Sequence, residues 1–383
     1  MKHSKKILIY SGYAMILGLV LAAAAFLSGA KIDGVVFGEN GAQIIDSGKY
    51  SSREDNLAKF DSIDLDIDRA DVKLVPSDHY GAEFVHYGKD DTFSCNVENG
   101  TLKISTKDGY THGIMCFNLT PVVYSNTLDI YYPKNTKFKN LKIYNINGNF
   151  SVSGLKANIA DISLPYGSID LDNADCGSIG INMENGKCGL KNIKAETLGY
   201  KNNYGSGTFE DINISGGQNT KFVSTNGSLT LTDFICGNLE ADSNYGNISF
   251  DSLNVSALKS TLKDGNLSMN NSTVKDSVVR NSYGRVTLDG VKSDGADIKC
   301  NDGEININGE LKGKTQLSSD YGKIIVKTSL PKEKYSYAAV TKYGNVKIDG
   351  KKSGMNISNG VNAENTIYAE AKNGDVALNF GIK

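Results

Sequence analysis

The chain has no tryptophan, 5 prolines in 383 residues, and 4 histidines, all before position 113. Without Trp it lacks the usual platform of a sugar-processing cleft. With His3, His79, His86 and His112 as its only imidazoles, more than two thirds of the sequence lacks the commonest acid–base and metal-ligating group. An excess of either charge is missing too: 41 Lys and Arg against 43 Asp and Glu leave a formal charge of -2. A nucleic-acid binder needs a basic stripe to neutralise phosphates, and an acidic disordered tail needs surplus carboxylates. Neither is present. Scarce proline beside 41 glycines points to many regular turns between strands.

Lys2, His3, Lys5 and Lys6 precede an apolar run from Ile7 to about Ala30. As a helix, Ile7–Leu27 would span about 31 Å, close to the roughly 30 Å of a bilayer core. The basic end favours a cytoplasmic N-terminus with the body outside. A cleaved signal peptide is the competing reading. Leu27-Ser28-Gly29-Ala30 offers small residues for a peptidase, although the run exceeds the usual apolar length. The expectation is a single-pass anchor over 1–30, or a secreted body if the segment is cleaved. Residues 31–56 read as a polar tether.

Self-similarity organises the rest. Glycines recur at 148, 167, 186, 205, 227, 246, 265, 284, 303, 322 and 344, at intervals of 19 with two of 22. The preceding residue alternates: Asn147, Asn185, Asn226, Asp264 and Asp302 interleave with Tyr166, Tyr204, Tyr245, Tyr283 and Tyr321, and Tyr343 follows. Apolar residues fall two, four, seven, twelve and fourteen positions after each glycine, as in Ile169, Leu171, Ala174, Ile179 and Ile181. The period-two pairs mark short strands with one buried face. These features predict an all-β fold, a parallel β-solenoid of about 19 residues per coil with two facing sheets. At about 4.8 Å per coil, some twelve coils would make a rod of roughly 55–60 Å. The Tyr/Asn alternation leaves a 38-residue coil, with Tyr stacked on Tyr, as the rival.

Before the repeats, Ile63, Leu65 and Ile67 alternate with Asp64, Asp66 and Asp68, and Asn99-Gly100 marks a hairpin. Residues 57–145 are expected as a β-rich head capping the rod's first edge. Residues 146–383 are expected as the solenoid with a C-terminal cap beyond Gly344.

The Phe60-Asp-Ser-Ile-Asp-Leu-Asp-Ile opening, Val72-Lys-Leu-Val-Pro, Val97-Glu-Asn-Gly-Thr-Leu-Lys-Ile and Leu128-Asp-Ile-Tyr-Tyr-Pro segments lead into tandem Asn/Tyr-Gly rungs. Together they resemble the bacterial domain-of-unknown-function 4097 family of β-strand-repeat proteins, known as candidate adhesins. The resemblance covers about 57–383. It implies a surface-exposed, often membrane-anchored β-solenoid, sometimes tied to adhesion or envelope stress, with no catalytic residues to carry over. Tyr in alternate turns departs from the family's usual small polar residue.

Asp61, Asp64, Asp66, Asp68 and Asp71 could form a cation-binding face, but carboxylates about 7 Å apart on a strand do not converge on one ion. A solvated strand face is the simpler reading. Asp170, Asp172, Asp251, Asp289, Arg280 and Arg285 are candidates for a β-helix polysaccharide lyase or hydrolase, yet they lie at unlike offsets and form no acid–base pair. Tyr166, Tyr204, Tyr245, Tyr283, Tyr321 and Tyr343 form a candidate surface-contact ladder, or else pack their turns against adjacent coils. Cys95 and Cys116 are the candidate disulfide. Cys188 reads as core, and Cys176 and Cys236 stand too far apart to bond.

The expected function is a noncatalytic, membrane-tethered binding protein or scaffold of the cell surface, with no cofactor, metal, nucleic-acid or small-molecule partner. Its partner would be an envelope or surface protein, or a glycan. A sensor of envelope stress acting through a membrane partner is the first alternative, and a carbohydrate enzyme the second.

Overall fold

The computed structural model describes residues 2–27, 35–38, 41–44, 48–87, 91–107, 115–117, 125–217, 219–360 and 362–382. The chain forms two compact units, one of residues 1–51, 85–92 and 108–126, the other of 52–84, 93–107 and 127–383.

In the first unit, helix α1 spans Lys2–Leu27, about 39 Å at the helical rise. Among its described side chains, Tyr10, Met15, Leu17, Leu19 and Leu21 are all more than half exposed. Among the described residues, no helix is long and apolar enough to cross a membrane. The expected span over Ile7–Leu27 includes side chains outside the described residues. The segment expected as a tether carries short strands at Val35–Gly38, Gly41–Ile44 and Lys49–Glu54.

The second unit is a parallel β-solenoid. Phe138 pairs with Ala157, Ala157 with Cys176 and Ile169 with Cys188, so one coil takes 19 residues. Asn147, Tyr166, Asn185 and Tyr204 are therefore direct neighbours in one column. Tyr stacks on Asn, and the 38-residue coil is excluded.

The expected pair of facing sheets gives way to three straight segments per coil. Inward residues after Gly167 are Ile169 and Leu171, then Ala174 and Cys176, then Ile179, Ile181 and Met183. In a strand, inward positions keep one parity. Here parity changes twice within the coil and again across the glycine, so the chain turns three corners. One corner is the glycine. A second lies six positions later, where Asn173, Asn192, Asp211, Asp233, Ser252 and Asn271 all adopt positive φ near +50 to +56°. Asn and Asp tolerate that left-handed conformation better than other side chains. Each coil buries its inward row only against its neighbours, so the coils stand by stacking.

The column three residues before each glycine is buried but largely polar. Asn202 and Asn281 donate to the carbonyls of Gly186 and Gly265. Ser319 and Cys300 donate to those of Gly303 and Gly284. These side chains satisfy the inward-facing carbonyls of the glycine corner, whose loss would cost about 1–3 kcal/mol each. Asn281→Ala is expected to lower unfolding free energy by that amount in urea titration. Asn281→Leu should cost less, because Leu262 holds the equivalent place one coil earlier; equal losses would reject this account.

Both ends of the solenoid depart from chain order. Ser62–Arg69 and Asp71–Ser77 pair on one side with Phe138–Asn147 and Phe150–Ser153. On the other side they pair with Thr101–Lys107 and Thr127–Pro133. The expected head is thus continuous with the solenoid, and its strands Thr101–Lys107 and Thr127–Pro133 lie outside Ser62–Arg69 and Asp71–Ser77. At the far end, Asn365–Asn373 and Val376–Phe380 insert between Ile305–Tyr321 and Ile324–Thr328 on one side and Tyr335–Thr341 and Val346–Ile348 on the other. The expected C-terminal cap is an inner coil. Covering the last coil is the antiparallel strand Asn356–Ser358, with Lys347, Lys351 and Lys352 on a short hairpin. Lysines at such an edge discourage pairing with another chain.

Candidate functional site

The glycine corner creates one surface feature that runs along the solenoid. At each corner the residue before the glycine turns its side chain outward, while its carbonyl accepts the N–H of the glycine one coil earlier. Gly148 donates to Tyr166 at 2.9 Å, Gly186 to Tyr204 at 2.9 Å and Gly227 to Tyr245 at 2.8 Å. The backbone thereby locks the outward residues into one register.

All six tyrosines of the expected ladder fall in this column. Tyr166, Tyr204, Tyr245, Tyr283, Tyr321 and Tyr343 are between 48% and 66% exposed. Asn185, Asn226, Asp264 and Asp302 separate successive members. Tyr321 and Tyr343 precede successive turn glycines in the sequence, Gly322 and Gly344, but Asn373 pairs with Tyr321, and Tyr343 donates its backbone N–H to Lys372. The inserted C-terminal coil thus restores the alternation. Lys263 lies 5.5 Å from the centre of the Tyr245 ring and Lys342 5.2 Å from that of Tyr343. These cations steady two rings against the turns, and both tyrosines remain exposed.

Most of the other candidate residues are drawn into bonding between coils. Asp61 and Asp64 pair with Lys139 and Lys142, and Asp71 accepts from Asn149. Asp172, Asp251 and Asp289 accept from Asn192, Asn271 and Asn308, each one coil on. Arg280 pairs with Asp297 and Arg285 with Glu304. Among the described residues, no group of three or more His, Cys, Asp and Glu is placed to hold a metal ion. A surface groove of about 760 Å³ mixes Lys137, Asp175, Lys194 and Glu196 with Gly177, Ser178 and Thr197; these charges do not form a nucleophile–base arrangement.

Cys95 is a free, half-buried thiol, while the side chain of Cys116 lies outside the described residues. Cys176, Cys188, Cys236 and Cys300 are free and buried. Burial pushes the thiols of Cys95, Cys176, Cys236 and Cys300 up to about 11 from an ordinary 9.0. The folded chain holds these protons more tightly than the unfolded chain. Their contribution to stability is therefore complete below pH 9.0 and lost as pH rises through about 11. Urea midpoints measured from pH 8 to 11 are expected to fall across that window, and a flat profile would contradict it.

The buried polar column and the second corner escaped sequence reading. Asn, Asp, Ser or Gly six places after most of the glycines was the available signal, along with a recurring small polar residue three places before them.

A family model described as Toastrack DUF4097 matches residues 60–234 and 219–379. Among solved structures, a candidate cell-adhesion protein from Clostridium sporogenes is 10% identical, with a TM-score of 0.21, over 87% of this chain and 100% of its own. A candidate adhesin from Bacteroides fragilis is 12% identical, with a TM-score of 0.27, over 68% of this chain and 97% of its own. No curated protein matches the chain significantly.

Proposed function

The chain belongs to the Toastrack DUF4097 family, and from that premise we propose that it is a noncatalytic, adhesin-like binding protein of the cell envelope. The observation that carries this reading is the tyrosine column. Six half-exposed aromatic rings occupy one register-locked corner, where the core needs only the glycine and the buried residue three places before it. Tyr supplies large contact area with few rotatable bonds to immobilise, and a solenoid holds such groups at fixed spacing.

In this reading α1 tethers the body to the cell membrane, with the N-terminus cytoplasmic. Its exposed apolar side chains and the flanking Lys2, Lys5 and Lys6 support the tether. The full chain recovered from carbonate-washed membranes would bear this out; full-length chain in a soluble fraction would remove it.

The contact surface is tested with the full chain in detergent micelles, wild type against Tyr204→Ser, Tyr245→Ser and Tyr283→Ser combined. Exposed substitutions away from the core cost about 0.5 kcal/mol or less each, so the variant should unfold near the wild-type midpoint. Adsorption to isolated bacterial envelopes should fall at least tenfold. Undiminished adsorption by a folded variant would sink the reading, and polysaccharide cleavage by the wild type would remove its noncatalytic part.

A further inference from the structure

Resting on the tyrosine column as the contact surface, we infer that its occupant is an uncharged, extended polysaccharide with a two-sugar repeat, lying along the solenoid axis. Three observations converge on that chemistry.

The first is spacing. Tyrosines stand on every second coil, so neighbours are separated by about 9.6 Å along the axis, twice the strand spacing of about 4.8 Å. That is close to the length of one disaccharide unit in an extended β-linked chain. Two irregularities in the chain leave the spacing intact. The three-residue insertion between Gly205 and Gly227 is absorbed between Ile214 and Thr220, and Tyr204 still pairs with Asn226. At the far end the C-terminal coil places Asn373 next to Tyr321, so Tyr343 falls two coils beyond Tyr321 instead of one. A ladder needed only for local turn packing has no use for this long-range phase.

The second is the chemistry of the steps. A phenol ring offers an apolar face and a polar edge, which suits the C–H face and hydroxyl rim of a pyranose. Between the rings, Asn185, Asn226 and Asn373 present amides that donate and accept, and Asp264 and Asp302 present acceptors. Aromatic and hydrogen-bonding steps thus alternate sugar by sugar.

The third is charge. Take the residues two before, one before and one after each of the twelve stacked glycines. The acids are Glu184, Asp264, Asp302, Glu304, Asp320 and Asp375; the bases are Lys187, Lys263, Arg285, Lys323, Lys342 and Lys372. Six cancel six. Arg285 and Lys372 are already paired with Glu304 and Asp320. A polyanion would require unpaired cations along its length, and this strip has no surplus.

The test uses the full chain in micelles, with binding followed by calorimetry and by tyrosine fluorescence, which no Trp obscures. The probes are an array of uncharged β-linked polysaccharides, N-acetylated chito-oligosaccharides and cello-oligosaccharides of two to eight sugars, and polygalacturonate as the charged control. At least one neutral series should bind, with affinity rising about threefold or more per added disaccharide as further tyrosines engage. Affinity should change less than twofold when salt is raised tenfold, since charge is not involved. Tyr→Ser at 204, 245 and 283 should abolish the length dependence, and Tyr→Phe should restore most of it. Binding of polygalacturonate alone, steep salt dependence, or no length-dependent neutral series would overturn the inference. If envelope adsorption is lost in the Ser variant while no neutral glycan binds, the contact surface stands and the glycan falls. If adsorption is undiminished, both fall.

Discussion

Gly227→Ala is expected to destabilise the solenoid by more than about 3 kcal/mol, among the largest effects a single methyl can have here. A Cβ at that position would sit 1.6 Å from the carbonyl oxygen of Gly205 and 2.6 Å from its carbon. Both atoms belong to backbone held on each side by neighbouring coils, so they cannot swing away as a side-chain tip would. The residue also has φ +155°, which an L side chain disfavours; such strain alone costs about 1–3 kcal/mol, and overpacking adds a similar amount. The same contact recurs along the column: Gly186 would meet Gly167, and Gly205 would meet Gly186, each within 2 Å. Gly237 is the control. No atom lies within 4 Å of its Cβ direction, and Gly237→Ala should be neutral to stabilising by up to about 1 kcal/mol through the unfolded chain. Urea denaturation of the two variants decides the matter; a Gly227→Ala midpoint matching wild type would refute the packing account. Hydrogen exchange should show the loss concentrated in coils around 205–246, because each coil contacts only its neighbours.

Phe222→Ala is expected to cost about 3–5 kcal/mol. Its ring is fully buried and meets Phe209 edge-on at 4.5 Å, Phe234 at 5.7 Å and Tyr200 at 5.9 Å between centres. The cluster sits at the 22-residue coil. There Gly207 takes a place held elsewhere by Phe, Cys, Ile, Leu or Val, and a Cβ on it would lie 2.7 Å from the Phe209 ring and 3.0 Å from that of Tyr200. The rings fill the space that Gly207 leaves open. Removing Phe222 leaves a cavity that this stack of rigid coils cannot close by shifting one element. Phe222→Leu, which keeps more of the volume, should cost distinctly less than Phe222→Ala. A loss below about 1 kcal/mol for Phe222→Ala would show that neighbouring rings relax into the gap.

Some of the architecture was readable because its cause is local. A corner at positive φ with no room for a Cβ requires glycine, so Gly148 to Gly303 announce the coil length in the sequence itself. The alternation of Ile169 with Leu171 and of Ile179 with Ile181 gives two of the three segments directly. The third, Ala174 with Cys176, was concealed because its inward rows mix small residues with large ones from coil to coil, as in Ala174, Ile193, Ile212 and Phe234, and because Asn173 looks like any turn residue until its φ is known. Asn202 and Asn281 were likewise illegible as core. A buried polar side chain is recognised by the carbonyl it satisfies, and that carbonyl belongs to the preceding coil.

By itself, then, the sequence determined an all-β solenoid with a 19-residue beat, its glycine corner and the identity of the tyrosines along it. The tertiary structure decided the order of the coils. Thr101–Lys107 and Thr127–Pro133 lie outside strands that precede them, and Asn365–Phe380 lies inside strands that also precede it. Parallel coils offer nearly equivalent edges, so no short-range pattern can say which coil docks on which. That choice rests on the summed hydrogen bonds and buried rows of whole coils, and it sets Asn373 between Tyr321 and Tyr343.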